Sequence, residues 1–294
     1  MIRSDGLGNP PRQDRGWTVA NMFTAHRNRN MFEAAFTTLS LIYHVTVYNL
    51  RKEHRNALIG LLLTILQSSV FILGFFALYL IMGVRHSPIR GDFMIYIMSG
   101  IFTFMVFVQT IAAISNVGGS TGGLTKHGPL NTAVLITAAA LAVLYRMVVS
   151  IIVILGTYHM IFQPITLHDP IGCLAMVLLS WAVGAAIGLV FLALRPWWPQ
   201  GAKILTQLTQ RINMIASGKM FVANALPPVM LQMFDWNPLF HIVDQMRGYA
   251  FINYSPRNTS LEYPIYVGIA ILMIGLMAEF VTRNSESLSW SAGK

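Results

Sequence analysis

The sequence predicts an all-α integral membrane protein. It has six transmembrane helices, an N-terminal amphipathic interfacial helix, and two short external helices before the last span. Three observations carry that prediction. Of the 294 residues, 55% are hydrophobic and only 11% are charged, against about 25% charged in a soluble domain. The apolar residues run continuously instead of alternating, which excludes a β-barrel. Each run approaches the roughly 20 residues that cross about 30 Å of hydrocarbon, and in lipid a spanning segment must satisfy its own backbone, so each is read as a helix.

Taken in order, residues 1–31 hold Gly, Pro, Asn and Arg with few large apolar groups, the composition of a disordered tail. Pro10 and Pro11 sit there with no apolar centre, so no cleavable signal is read. Over 32–55, Phe36, Leu39, Ile42, Tyr43, Val47 and Leu50 recur at helical spacing, and Arg51, Lys52, Glu53, His54 and Arg55 close the segment. This reads as an amphipathic helix in the membrane interface, either a plain anchor or a collar that also touches a partner. Spans are expected at 57–83, 93–115, within 132–162, at 171–194, at 204–222 (the weakest) and at 264–281. The 132–162 segment is long enough to be one span or an interfacial helix plus a span. The membrane domain thus occupies 32–283, with a short tail at 284–294.

Charge sets the orientation. Of the 20 Lys and Arg residues, thirteen fall on the side shared by both termini and five (Arg85, Arg90, Lys219, Arg247 and Arg257) on the other. That bias places both termini of a multi-pass protein in the cytoplasm. The net charge of +9 reads as orientation and contact with anionic lipid. The basic residues are too scattered for a nucleic-acid surface. One cysteine, Cys173, excludes an internal disulfide and a thiolate metal cluster.

The loop between the second and third spans contains GGSTGG at 118–123. Gly118 and Gly123 have the separation of a phosphate loop, but Leu124 and Thr125 stand where Lys and Ser/Thr must reach the phosphates and the magnesium. No nucleotide site is read. The long segment from 219 to 263 carries two candidate short helices, 226–234 and 239–251, with Asn237 as cap and Pro238 at the first position of the second.

Catalytic constellations are absent from the pattern. Glu279 is the one acid read inside a span, no His pair suggests haem, and no His/carboxylate spacing suggests a metal. Asp92, Asp169, Asp235 and Asp244 fall outside the spans; two of them converging in a cleft would point to a membrane enzyme acting on lipid-linked substrates. Arg146 and Arg211 do lie inside spans, where a charge costs about 2.5–3.5 kcal/mol and faces a wet path or a partner. Around Arg211, Thr206, Gln207, Thr209, Gln210 and Asn213 make a polar face suited to line a pore. Arg146 either lines the same path or snorkels. Trp236, Phe240 and Tyr249 fit an interfacial aromatic belt, and such rings also suit the apolar faces of sugars. Gly184 and Gly188 form a GxxxG, sufficiently explained by packing within the chain.

The span order, the helix before the first span, and the run from Ser217 and Gly218 through Leu226-Pro227 to Asn237-Pro238-Leu239, His241 and Arg247 resemble the ABC type-2 exporter permeases. The polysaccharide branch (capsule, O-antigen and teichoic acid exporters) is the nearest. The resemblance covers about residues 32–283. It implies a homodimer in the bacterial inner membrane, bound to two copies of a separate ATPase subunit, which would carry ATP and Mg; no cofactor is implied in this chain. It implies a polysaccharide or lipid-linked glycan as cargo, with a drug, lipid or other small amphiphile as the alternative. Coupling to the ATPase would involve Gly122, Gly123, Lys126, His127 and Asn131, the last standing where an acidic residue is expected. The gate motif would comprise Ser217, Gly218, Asn237, Pro238, His241 and Arg247. The substrate path would include Arg146, Gln207, Arg211, Trp236, Phe240 and Tyr249.

Overall fold

A computed structural model describes residues 31–52, 57–83, 88–117 and 131–292. Residues 1–30 of the tail read at 1–31, and the coupling residues Gly122, Gly123, Lys126 and His127, lie outside the described residues. The α-helices are α1 (Met31–Lys52), α2 (Ala57–Ile81), α3 (Phe93–Ser115), α4 (Thr132–Ile161), α5 (Pro170–Leu194), α6 (Pro199–Ala216), α7 (Pro228–Phe234), α8 (Pro238–Ala250) and α9 (Glu262–Ala292). The chain divides into two units after Leu39. The first contributes the opening of α1, with Phe32, Phe36 and Leu39 exposed. The second holds the rest of the helices.

Local chemistry explains where the helices start. The Asp92 carboxylate accepts from the Met94 amide and caps α3. Asn131 caps α4 through the Ala133 amide. Asp169 caps α5 through the amides of Ile171 and Gly172, with Pro170 in the first turn. Each cap satisfies an amide that a helix start leaves without an internal partner.

Among the described residues, five helices are long and apolar enough to cross a membrane: α2, α3, α4, α5 and the first two-thirds of α9. The sixth expected span, 204–222, is not among them. Its helix is α6, 18 residues long, about 27 Å at 1.5 Å per residue. Lys203, Gln207, Gln210, Arg211 and Asn213 dilute its apolar content, and the chain leaves the helix after Ala216. The 132–162 segment is a single helix of 30 residues.

The hydrophobic centre is α3. Ile97, Ile101, Phe102, Met105, Val106, Phe107 and Ile111 are all buried. Gly184 and Gly188 of α5 let that helix approach closely. A Cβ at Gly184 would lie 2.8 Å from the Phe107 carbonyl oxygen, and one at Gly188 would lie 3.1 Å from that of Ile111. Ser180 of α5 donates to the Thr103 carbonyl at 2.8 Å. The helix α9 packs on α5 where Gly268 meets Val183 and Gly275 meets Leu189. Outward, α2 shows Leu58, Leu62, Leu66 and Leu73, and α9 shows Ile269, Met273, Met277 and Phe280. Bare apolar helix faces of this kind are stable against hydrocarbon.

The bundle is tied at both ends. At one, Arg195 donates to the carbonyls of Ser115 and Val117 at 3.3 and 3.2 Å, and the Trp197 indole donates to Thr282 at 3.1 Å. At the other, the Tyr158 hydroxyl donates to Asp92 at 2.6 Å. There too the amides of His168 and Asp169 donate to the carbonyls of Ala250 and Tyr249, at 3.2 and 2.9 Å. Those bonds satisfy carbonyls at the end of α8.

Candidate functional site

Between α6 and α7 the backbone is irregular yet buried. Ser217, Lys219 and Val222 are at or below 5% exposure, and Gly218 is buried with them. Buried irregular backbone must find hydrogen-bond partners, and here four successive carbonyls do so through side chains. Arg247 of α8 donates to Gly218 at 2.9 Å, Phe221 at 2.6 Å and Lys219 at 2.7 Å. The carbonyl between them, that of Met220, accepts from the Tyr79 hydroxyl of α2. Arg247 is fully buried, and its guanidinium stacks 4.2 Å above the Tyr96 ring of α3. Only a planar group with several donors can span three carbonyls in this way.

A second cation lies against the first. Lys219 is buried, donates to the Met214 carbonyl and sits 3.9 Å over the Phe104 ring. Burial pushes its ammonium down to about 7. Space for both cations comes from Gly100 of α3, where a Cβ would meet Lys219 Cβ at 3.0 Å and Arg247 Nη2 at 3.2 Å. Gly218 turns the strap with φ +73°, and a Cβ there would strike the Phe240 ring at 2.7 Å. Both the left-handed backbone and the contact require glycine.

Asn237 joins α8 to the end of α6. Its Nδ2 donates to Asn213 Oδ1 at 3.0 Å and to the Ala216 carbonyl at 2.9 Å, while its Oδ1 caps α8 through the Leu239 amide at 3.1 Å. Pro238 then supplies the first turn. His241 faces the other way. Its Nδ1 accepts from the Ser260 amide at 3.1 Å, which leaves the proton on Nε2. That nitrogen lies 2.8 Å from the Asp235 carbonyl and 3.1 Å from its carboxylate. Asp244 accepts from the hydroxyls of Tyr254 and Thr259, fastening the 251–261 connector along α8. Burial and the Asp244 carboxylate push the Tyr254 phenol well above its ordinary range.

The gate-motif residues Ser217, Gly218, Asn237, Pro238, His241 and Arg247 therefore gather around one helix, α8. Their hydrogen bonds tie the end of α6 and the 218–221 backbone to α8. The four aspartates stay apart in their roles: Asp92 caps α3, Asp169 caps α5, Asp235 meets His241 and Asp244 holds the connector. Among the described residues no three His, Cys, Asp or Glu side chains come together as a metal site.

The expected path residues scatter. Lys203, Gln207 and Arg211 form one exposed stripe of α6, beside a second of Ile204, Leu208 and Ile215. Gln210 is turned inward and donates to the Val108 carbonyl of α3 at 3.2 Å. Trp236 is exposed, Tyr249 is half-buried against Gly172, and Phe240 is buried beneath Phe221 and Phe234. Arg146 is half-buried on α4. Asn131 caps α4. Lys219 and Arg247, counted from sequence as charges on one face of the membrane, are instead core residues. The pairing with Gly100 was missed; a glycine in the middle of a long apolar helix was its one signal.

No family model matches the chain. Two Escherichia coli proteins, each named polysialic acid transport protein KpsM, are 25% identical to it over 275 and 277 residues. Each match takes in 89% of this chain and 99% of the relative. The likeness is to polysaccharide transport proteins. It extends along nearly the whole of both chains and so takes in the α6–α9 region as well as the helices before it. It also agrees with the branch that the Ser217-to-Arg247 run resembles.

Proposed function

We propose that this chain is the membrane permease subunit of an ATP-driven exporter that moves a polysaccharide or lipid-linked glycan across the inner membrane. The observation that carries the reading is the end-to-end likeness to polysialic acid transport proteins, on a chain with five apolar span-length helices. The α7–α8 pair, held by Arg247 and Asn237, is the gate. Two copies of the chain enclose the path, with the exposed Lys203–Gln207–Arg211 stripe of α6 toward the cargo. The energy comes from ATP and Mg in two copies of a separate ATPase, docked near 122–131 and on α1, with both termini cytoplasmic. Closure of the ATPase pair would shift the permease between inward-open and outward-open states.

Deleting the gene tests this. Polymer is expected to accumulate inside the cell and vanish from its surface; unchanged surface polymer with none retained inside would refute the reading. A second reading, export of a lipid or small amphiphile, draws on one feature. An apolar cleft of about 340 Å³ opens between α3, α4, α5 and α8, lined by residues such as Met98, Phe102, Ile151, Val177 and Met246. Under that reading the deletion strain retains a lipid and exports its polymer normally.

A further inference from the structure

Beside the gate pair lies a second cavity of different character. About 350 Å³ in volume, it is bounded by Asp235, His241, Arg257, Asn258, Thr259 and Tyr263. Its walls come from the end of α7, the start of α8, the connector after α8 and the first turn of α9.

We propose that this cavity is a glycan-contacting subsite, taking one hydroxyl-rich sugar unit of the cargo as it passes the gate. The inference rests on the reading of the chain as a polysaccharide permease. The walls are fixed in advance. Both ring nitrogens of His241 are engaged. Thr259 is held by Gln245 at 2.9 Å and by Asp244 at 2.8 Å. The Tyr263 hydroxyl donates to the Trp236 carbonyl at 2.7 Å. A preformed wall spares a ligand the cost of ordering it.

What remains uncommitted is the chemistry that sugars require. The Asp235 side chain is 57% exposed, with one carboxylate oxygen against His241. Arg257 is exposed, and its guanidinium makes no hydrogen bond or ion pair among the described residues. The remaining carboxylate oxygen can accept from one hydroxyl, and a guanidinium is a planar group that can donate to two neighbouring ones at once. At the margin stands Trp236, 60% exposed, its indole N–H fastened to the Met233 carbonyl at 2.7 Å. That leaves an aromatic face for the C–H face of a sugar ring. One carboxylate is too few for a bare cation, and the same carboxylate opposes a small inorganic anion.

A benzophenone amino acid in place of Asn258, in the full complex in polymer-producing cells, tests the proposal. On irradiation the chain is expected to gain a carbohydrate-positive, high-mass adduct that disappears when polymer synthesis is blocked. The same probe in place of Leu62, on the outer face of α2, is expected to give none. In addition, Asp235→Asn and Arg257→Gln should each lower the rate of polymer appearance at the surface about tenfold, the effect of one lost charge-assisted hydrogen bond, at unchanged chain level. No adduct at position 258, or wild-type rates for both variants, in cells whose export depends on the gene, overturns the subsite and leaves the permease reading standing. If deletion of the gene retains no polymer in the cell, the permease reading itself has failed.

Discussion

Arg247 and Lys219 occupy the same small volume, and neither is neutralised by a carboxylate in contact; carbonyl oxygens and ring faces do that work. The two differ in what they contribute. Of the three carbonyls that Arg247 satisfies, that of Gly218 also accepts from the Phe221 amide at 3.3 Å; the other two would be abandoned, at about 1–3 kcal/mol each. Arg247→Met should therefore destabilise the detergent-solubilised protein by about 3 kcal/mol or more, read as a lowered thermal midpoint. Arg247→Lys should fall between, because an ammonium cannot span three acceptors. Lys219 has the opposite sign. Unfolded, it keeps its proton up to its ordinary value of 10.5; folded, only up to about 7. Between those values the unfolded chain binds the extra proton, so stability rises with pH. The thermal midpoint should climb from pH 7 to pH 9 in the wild type and climb less in Lys219→Met. An equal rise in both would remove Lys219 as the cause.

At the scale of the elements, the helices were legible because their determinants are local. Asn237-Pro238 announces α8, and the expected short helices at 226–234 and 239–251 match α7 and α8 to within two residues. The sixth expected span, at α6, is left unconfirmed for an equally physical reason. Read for apolar content, 204–222 is a weak span; folded, its inner side packs Gln210 on α3 and its outer side sets the polar Lys203–Gln207–Arg211 stripe beside the apolar one of Ile204, Leu208 and Ile215. The GxxxG of α5 was read correctly as packing within the chain, and it carries a test. Gly184→Val would drive a side chain into the Phe107 carbonyl, and such overpacking costs about 1–3 kcal/mol, again read as a thermal midpoint. An unchanged midpoint would mean that α3 and α5 are not in close contact there. The two-cation joint was not legible. It depends on Gly100, Lys219 and Arg247, which lie more than 100 residues apart in sequence at the extremes and meet only once α3, the strap and α8 are packed.

At the scale of the whole molecule, the exposed stripe of α6 is the part of the surface that neither hydrocarbon nor the chain's own core explains. Arg211→Ala should slow export about tenfold, as expected for one charge-assisted contact, while leaving the chain co-purifying with the proposed ATPase. Surface polymer at the wild-type rate would take Arg211 out of the path. The fastening of α8 has a consequence of its own. Its last carbonyls are held by the amides of His168 and Asp169, and Asp169 also begins α5. Just past the far end of α5, Arg195 grips the end of α3, and Trp197 reaches α9. The helix α5 is thus a tie rod running the length of the bundle. A tug on Arg195 arrives at Tyr249 and Ala250 without passing through any soft connector, and α8 cannot swing unless α5 goes with it or those two amides let go.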